Sequence, residues 1–63
     1  MRISLKAARV NKGLTQMDVA KALDVTEKTV GAWENKKSMP KVDKIDALCT
    51  LLGMKYDDIQ WKA

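Results

Sequence analysis

The feature that most limits the fold of this chain is the very short break, at Asp24-Val25, between two runs of helical pattern. Thr15 offers a hydroxyl at the start of the first run, and Asp18 follows three residues later, which is close to a capping box. Thr26 caps the second run. Two short helices joined by so tight a turn cannot lie antiparallel. We therefore expect them to cross steeply, with the second helix projecting from the body of the domain.

Apolar residues on both helices are expected to hold this crossing angle, and Ala20 supplies the small residue that a close crossing requires. The predicted packing set is Val19, Ala20, Leu23, Val25, Val30 and Trp33. The exposed side of the second helix is left with Glu27, Lys28, Gly31 and Ala32, with Thr29 near its edge. A helix that presents short or polar groups fits the major groove of DNA, which is about 12 Å wide.

Helical periodicity continues on both sides of this pair. Ile3, Ala7, Val10 and Leu14 form one stripe of a first helix, which Gly13 ends as a C-terminal cap. Beyond the loop 35–40, apolar residues predict a fourth helix from Val42 to Leu52, stopped at Gly53.

The end of the chain predicts a short fifth helix from Tyr56 to Trp61, with Ile59 facing inward. No segment alternates between apolar and polar residues for long, so no strands are predicted. The expected fold is all-α, a compact bundle of four to five short helices in one domain over residues 1–63. The helix-turn-helix occupies about residues 16–35.

The composition limits how this chain can be stabilised and which classes of function it can have. A 63-residue chain buries only a small core. Because Cys49 is its one cysteine, an internal disulfide cannot form, and because it has no histidine, the usual zinc sites cannot form either. Cys49 shares an apolar stripe with Ile45 and Leu52 and is expected to pack. We predict no metal, no cofactor, no small-molecule ligand and no enzymatic activity.

Charge is distributed unevenly along the chain. Residues 1–41 hold nine basic and four acidic side chains, whereas residues 42–63 hold three basic and four acidic ones. A basic region of this kind suits a polyanionic partner, although many proteins of similar charge bind no nucleic acid. The first ten residues contain no uninterrupted apolar run, so we expect neither a signal peptide nor a membrane span, and a cytoplasmic location.

The segment LTQMDVAKALDVTEKTVGAWENKKSMP, residues 14–40, resembles the lambda-repressor-like (Xre/Cro-type) helix-turn-helix family. The shared pattern is a glutamine opening the second helix, an alanine in its middle, a valine after the turn, a valine in the third helix and then Trp-Glu-Asn. The resemblance is looser over the rest of the chain, where it includes Leu52-Gly53. It implies a DNA-binding transcriptional regulator, bacterial or phage-encoded and associated with the nucleoid when bound.

The resemblance also implies roles for individual residues. The positions that match readers of base edges are Glu27, Lys28, Thr29 and Ala32. The positions that match phosphate contacts are Gln16, Thr26, Asn35, Lys36 and Lys37. Gln16 also matches a glutamine that braces the recognition helix, and Arg9 and Glu34 match a partly buried ion pair between helices one and three. Each of these residues also has a plain structural interpretation, such as a solvated first-turn side chain for Gln16.

This chain departs from the family pattern at several positions. Asp24 and Lys36 stand where glycine is common, and Asp tolerates the left-handed conformation expected at the turn. Gly31 weakens the recognition helix by about 1 kcal/mol relative to alanine. Gly31 and Ala32 are smaller than usual, so direct readout is expected to depend heavily on Glu27 and Lys28.

The expected mode of action is repression by a homodimer on a palindromic operator, with two recognition helices about 34 Å apart. Family analogy places the dimer surface at Ile59 and Trp61, although Trp61 can equally fold back onto the core. The alternative is an antitoxin or anti-repressor, a protein-binding module of the same fold. Such a module is expected to carry an extended partner-binding tail, and this chain ends at Ala63 without one. The operator, the target genes and the inducing signal do not follow from the residues.

Overall fold

The computed structural model describes residues 2–62, which form four α-helices and two very short strands. In chain order the elements are β1 (Ile3–Ser4), α1 (Leu5–Asn11), α2 (Gln16–Leu23), α3 (Glu27–Glu34), α4 (Val42–Leu52), a 3-10 turn (Tyr56–Asp58) and β2 (Ile59–Gln60). The expectation of a small, mostly helical bundle is confirmed.

Local capping groups set most of the helix ends. Thr15 Oγ1 accepts a hydrogen bond from the amide of Asp18 at 3.0 Å, and the Asp18 carboxylate accepts one from the amide of Thr15 at 2.9 Å. Thr26 Oγ1 caps α3 by accepting from the amide of Thr29 at 3.1 Å. Gly13 and Gly53 adopt left-handed φ angles of 77° and 66° just beyond α1 and α4. These caps place the starts of α2 and α3 and the end of α4 where the sequence predicted them.

The predicted apolar stripe of the first helix is wrong. Ser4 caps α1 by accepting a hydrogen bond from the amide of Ala7, so the helix begins at Leu5 and Ile3 belongs to a strand. Leu5, Ala8 and Arg9 are the buried residues of α1, and Val10 is 55% exposed. The buried face of α1 includes Arg9, whose side chain is buried because it forms an ion pair. A stripe drawn through the apolar residues alone therefore misses this face.

The predicted fifth helix and the prediction of no strands are also wrong. Residues 56–58 make a single 3-10 turn, and the chain then extends into β2. β2 pairs in parallel with β1, with Ile3 opposite Ile59 and Ser4 opposite Gln60. Two-residue strands are too short to show alternation, and their pairing depends on a contact between opposite ends of the chain.

One hydrophobic core joins the helices to the C-terminal segment. Its buried members are Leu5, Ala8, Val19, Ala20, Leu23, Val30, Trp33, Leu48, Leu52, Ile59 and Trp61. Cys49 is a free, half-buried cysteine packed against this core. Burial, and secondarily the charge of Asp46, raises the pKa of the Cys49 thiol, which disfavours its reactive thiolate form. These observations agree with a packing role for Cys49.

Candidate nucleic-acid interface

The turn between α2 and α3 is formed by Asp24 in the left-handed conformation, with φ 58° and ψ 47°. The amide of Val25 donates back to the carbonyl of Ala20 at 3.0 Å, which closes the end of α2. Aspartate tolerates this backbone better than most residues other than glycine. The left-handed turn expected at this position therefore forms at an aspartate.

All six residues of the predicted packing set lie in or against the hydrophobic core. Val19, Ala20, Leu23, Val30 and Trp33 are all buried, and Val25 is half-buried against the core. Because these side chains take up the inner surfaces of both helices, the opposite side of α3 is left toward solvent.

A shallow groove of about 430 Å³ runs along that outer side of α3. It is lined by Gln16, Glu27, Lys28, Gly31, Ala32, Asn35 and Lys37. Six of these seven residues were singled out from the sequence as base or phosphate contacts, and Gly31 is the additional one. Gly31 lies beside Gln16 in this lining, since a Cβ atom added to Gly31 would be 3.8 Å from Gln16 Nε2.

Three predicted contact residues lie outside the lining of this groove. Thr26 and Thr29 hydrogen-bond each other through their hydroxyls at 2.9 Å, and the same Thr26 oxygen caps α3. Lys36 is exposed and has a left-handed φ of 60°. Thr26 therefore caps the start of α3, and the Thr29 hydroxyl is bound to the capping oxygen.

Lys36 occupies the position that terminates α3. Its amide donates to the carbonyl of Trp33 at 3.1 Å, and the amide of Lys37 donates to the carbonyl of Ala32 at 2.9 Å. This is the Schellman pattern, which usually has glycine in the left-handed position. The reversal of the chain at Lys36 returns Lys37 to the groove beside Asn35.

A hydrogen-bonded network joins the groove to α1. Arg9 donates from Nε to Glu34 Oε2 at 2.6 Å and from a second nitrogen to Glu34 Oε1 at 3.2 Å. Gln16 Nε2 donates to the same Oε1 at 3.0 Å. The predicted ion pair is confirmed, and the link from Glu34 to Gln16 ties the start of α2 to the end of α3.

The charges of the groove are mixed, with Lys28 and Lys37 as cations and Glu27 as an anion. Outside it, hydrogen bonding with Thr15, chiefly the bond that its backbone amide donates to the Asp18 carboxylate, lowers the pKa of Asp18. Residues 2–62 contain no cluster of three or more histidine, cysteine or acidic side chains arranged to hold a metal ion. Across the same residues, every helix is too short or too polar to cross a bilayer.

The structure contradicts the prediction that Ile59 and Trp61 form a dimer surface. Ile59 is 1% exposed and Trp61 is 9% exposed, and both belong to the core. The indole nitrogen of Trp61 donates to the carbonyl of Tyr56 at 3.0 Å, and the two rings stack with centroids 5.6 Å apart. Trp61 therefore folds back onto the core, which is the other position that the sequence allows for it.

A comparison with protein families matches a helix-turn-helix family over residues 5–59, which covers most of the chain. The match begins at the first residue of α1 and ends in β2, so it extends well beyond the two central helices. No curated protein matches the chain as a relative.

Proposed function

Because the chain belongs to the lambda-repressor/Xre-like helix-turn-helix family of DNA-binding transcription regulators, we propose that it represses transcription by binding a specific operator. The observation that carries the proposal is the groove along α3. It gathers six of the predicted contact residues on one exposed side of a helix whose opposite side is packed in the core.

The shape of this surface suits the major groove of DNA. An α-helix with its side chains is about 10–12 Å across, close to the width of that groove. Gly31 and Ala32 keep the middle of α3 slim, so its backbone can approach the base edges. Lys28 is suited to donate to guanine, Glu27 to accept from the amino group of cytosine, and Ala32 to contact a thymine methyl.

Phosphate contacts are proposed for Gln16 and for the segment after α3, which includes Asn35, Lys36 and Lys37. Gln16 reaches this surface from the start of α2, and its hydrogen bond to Glu34 limits the directions that its amide can face. The lysines supply sequence-independent attraction, because binding them releases counterions from the phosphates. Such contacts position the protein on the duplex, while α3 reads the sequence.

Two copies of the chain are proposed to occupy a palindromic site, because a single domain of this size offers a small interface. Their α3 helices would then lie about 34 Å apart, one turn of DNA. The burial of Ile59 and Trp61 means that other residues must form any contact between the copies. A bacterial or phage regulator acting in the cytoplasm, without cofactor or catalytic activity, is part of the same proposal.

Selection of bound duplexes from a random library tests the proposal. The selected duplex and a scrambled control are then titrated at two salt concentrations with the unmodified protein, Lys28→Ala and Lys55→Ala. We expect a palindromic duplex to be bound at least ~10³-fold more tightly than the scrambled one. Lys28→Ala should lose about 1–3 kcal/mol of that preference, because it removes a base contact. Lys55→Ala changes the net charge equally outside the groove and should retain the preference.

The contrary result is equally specific. If no duplex is enriched and binding is weak and disappears as salt rises, the operator model is wrong. The protein-binding alternative, an antitoxin or anti-repressor, then becomes the function to test by searching for a protein partner.

A further inference from the structure

Lys44, near the start of α4, makes a side-chain hydrogen bond to the end of α2. Its ammonium donates to the backbone carbonyl of Leu23 at 2.8 Å, across 21 positions of sequence. Lys44 is half-buried, and the side chain of Leu23 is 5% exposed. The lysine is therefore turned toward the protein.

The hydrogen bond from Lys44 is important because of where the accepting carbonyl lies. Leu23 is the last residue of α2, and its carbonyl belongs to the peptide group that leads into the left-handed Asp24. The last four carbonyls of a helix have no amide partner within that helix. The carbonyl of Ala20 receives the amide of Val25, and that of Leu23 receives Lys44.

The charge of Lys44 is also well placed. A cation at the C-terminal end of a helix interacts favourably with the partial negative charge there. Hydrogen bonds to charged groups are stronger than those between neutral groups. Lys44 therefore restrains the orientation of the peptide from which the chain turns into α3.

We propose that Lys44 is a positioning residue for DNA recognition, which fixes the angle between α2 and α3 from outside the helix-turn-helix motif. This inference rests on the proposed function, because the angle determines how α3 enters the major groove. Lys44 acts through the Leu23–Asp24 peptide and not by contact with phosphate.

Replacement of Lys44 separates these two modes of action. Lys44→Met keeps most of the side chain and removes the donor and its charge, whereas Lys44→Arg retains both. Lys55→Met is the matched control, since it removes the same charge from an exposed lysine. All proteins are titrated with the selected and the scrambled duplex under conditions where circular dichroism shows them folded.

For Lys44→Met we expect the ratio of specific to non-specific affinity to fall by up to about tenfold, because restoring the angle on specific binding costs no more than the lost charged hydrogen bond supplied. The salt dependence of binding should stay the same, because no phosphate contact is lost. Lys44→Arg should recover most of the ratio, and Lys55→Met should keep it. In the free protein, amide residual dipolar couplings should show a changed angle between α2 and α3 for Lys44→Met alone.

Three results would overturn the inference. An equal loss of affinity for both duplexes, with a shallower salt dependence, would make Lys44 a phosphate contact. Unchanged affinity for both duplexes would limit it to stability, and unchanged dipolar couplings would exclude an effect on the angle. If Lys44→Met does not fold, Lys44→Gln, which retains a donor without the charge, replaces it. The couplings need no DNA, so they test Lys44 even if the unmodified protein selects no operator.

Discussion

At the scale of single residues, Arg9 connects three parts of the molecule. Its guanidinium donates to both oxygens of Glu34 and to the carbonyl of Leu14. The side chains of Arg9 and Glu34 are only 11% and 3% exposed, so removal of either one would leave a charge largely shielded from water. Such losses typically cost about 3–5 kcal/mol. Removing one partner alone is therefore expected to destabilise the fold, and through Glu34 the pair also orients Gln16.

Replacing Gly31 with alanine is expected to make the folded protein more stable. A Cβ atom added there would meet Gln16 Nε2 at 3.8 Å, an ordinary van der Waals distance. Glycine inside a helix is about 1 kcal/mol less favourable than alanine. We expect Gly31→Ala to raise the free energy of unfolding by about this amount and the melting temperature by about 4–8 °C.

Thermal and urea unfolding of Gly31→Ala measure this gain. The matched control is Ala22→Gly, which makes the opposite change at an exposed position of α2 and should lower stability by a similar amount. A lower melting temperature for Gly31→Ala would contradict the prediction. It would indicate that the added methyl group displaces Gln16 from Glu34.

At the scale of elements, capping explains why the central helices begin where they do. Thr15 and Thr26 each accept a hydrogen bond from an amide three residues later, and Asp18 completes the box at the start of α2. These contacts lie within four residues of sequence, so they form in the same way in any fold that contains the helices. The helix starts were predictable for this reason, whereas the buried face of α1 was not.

The capping box makes part of the stability depend on pH. Hydrogen bonds from Thr15 hold the pKa of Asp18 below its ordinary value of 3.8 in the folded protein. A lowered carboxyl pKa stabilises the fold at pH values above 3.8, and this contribution is lost as the pH falls through the lower folded-state pKa.

Urea unfolding of the unmodified protein and of Asp18→Ala between pH 7 and pH 2 tests this dependence. The unmodified protein should be the more stable at pH 7, and the difference should shrink as the pH falls below 3.8. Parallel stability profiles across the whole range would show that the Asp18 carboxylate contributes nothing in its charged form.

At the scale of the whole molecule, the C-terminal segment packs against the N-terminal one. β2 pairs with β1, and Ile59 is buried with Trp61 in the core shared by the helices. The helix-turn-helix is thus supported by residues from both ends of the described chain.

Replacement of Ile59 tests this arrangement. Ile59→Ala should lower the free energy of unfolding by about 2–5 kcal/mol, because it leaves a cavity in the core. Gln60→Ala, at the exposed neighbouring position of β2, should change it by less than about 0.5 kcal/mol. Urea unfolding at two protein concentrations measures both effects. If Ile59→Ala weakens only self-association and leaves the unfolding of the monomer unchanged, Ile59 faces a partner subunit instead.

The sequence by itself determined the elements that depend on neighbouring residues. The capping threonines and the glycines after α1 and α4 predict where the helices begin or end, and the short break at Asp24 predicts a steep crossing of α2 and α3. Helical spacing placed Glu27, Lys28, Gly31 and Ala32 on the exposed side of α3, whereas Gln16, Asn35 and Lys37 followed from the family resemblance. The pairing of Arg9 with Glu34 followed from family resemblance.

Tertiary structure decided what depends on residues far apart in the chain. The inward orientation of Arg9 becomes favourable only when Glu34 arrives from α3. The extended form of residues 59–60 depends on the opposite strand at residues 3–4 and on the core that buries Ile59. Lys44 finds its acceptor only after α4 packs beside the end of α2. In each case the deciding contact joins distant residues, and no local pattern of side chains encodes such a contact.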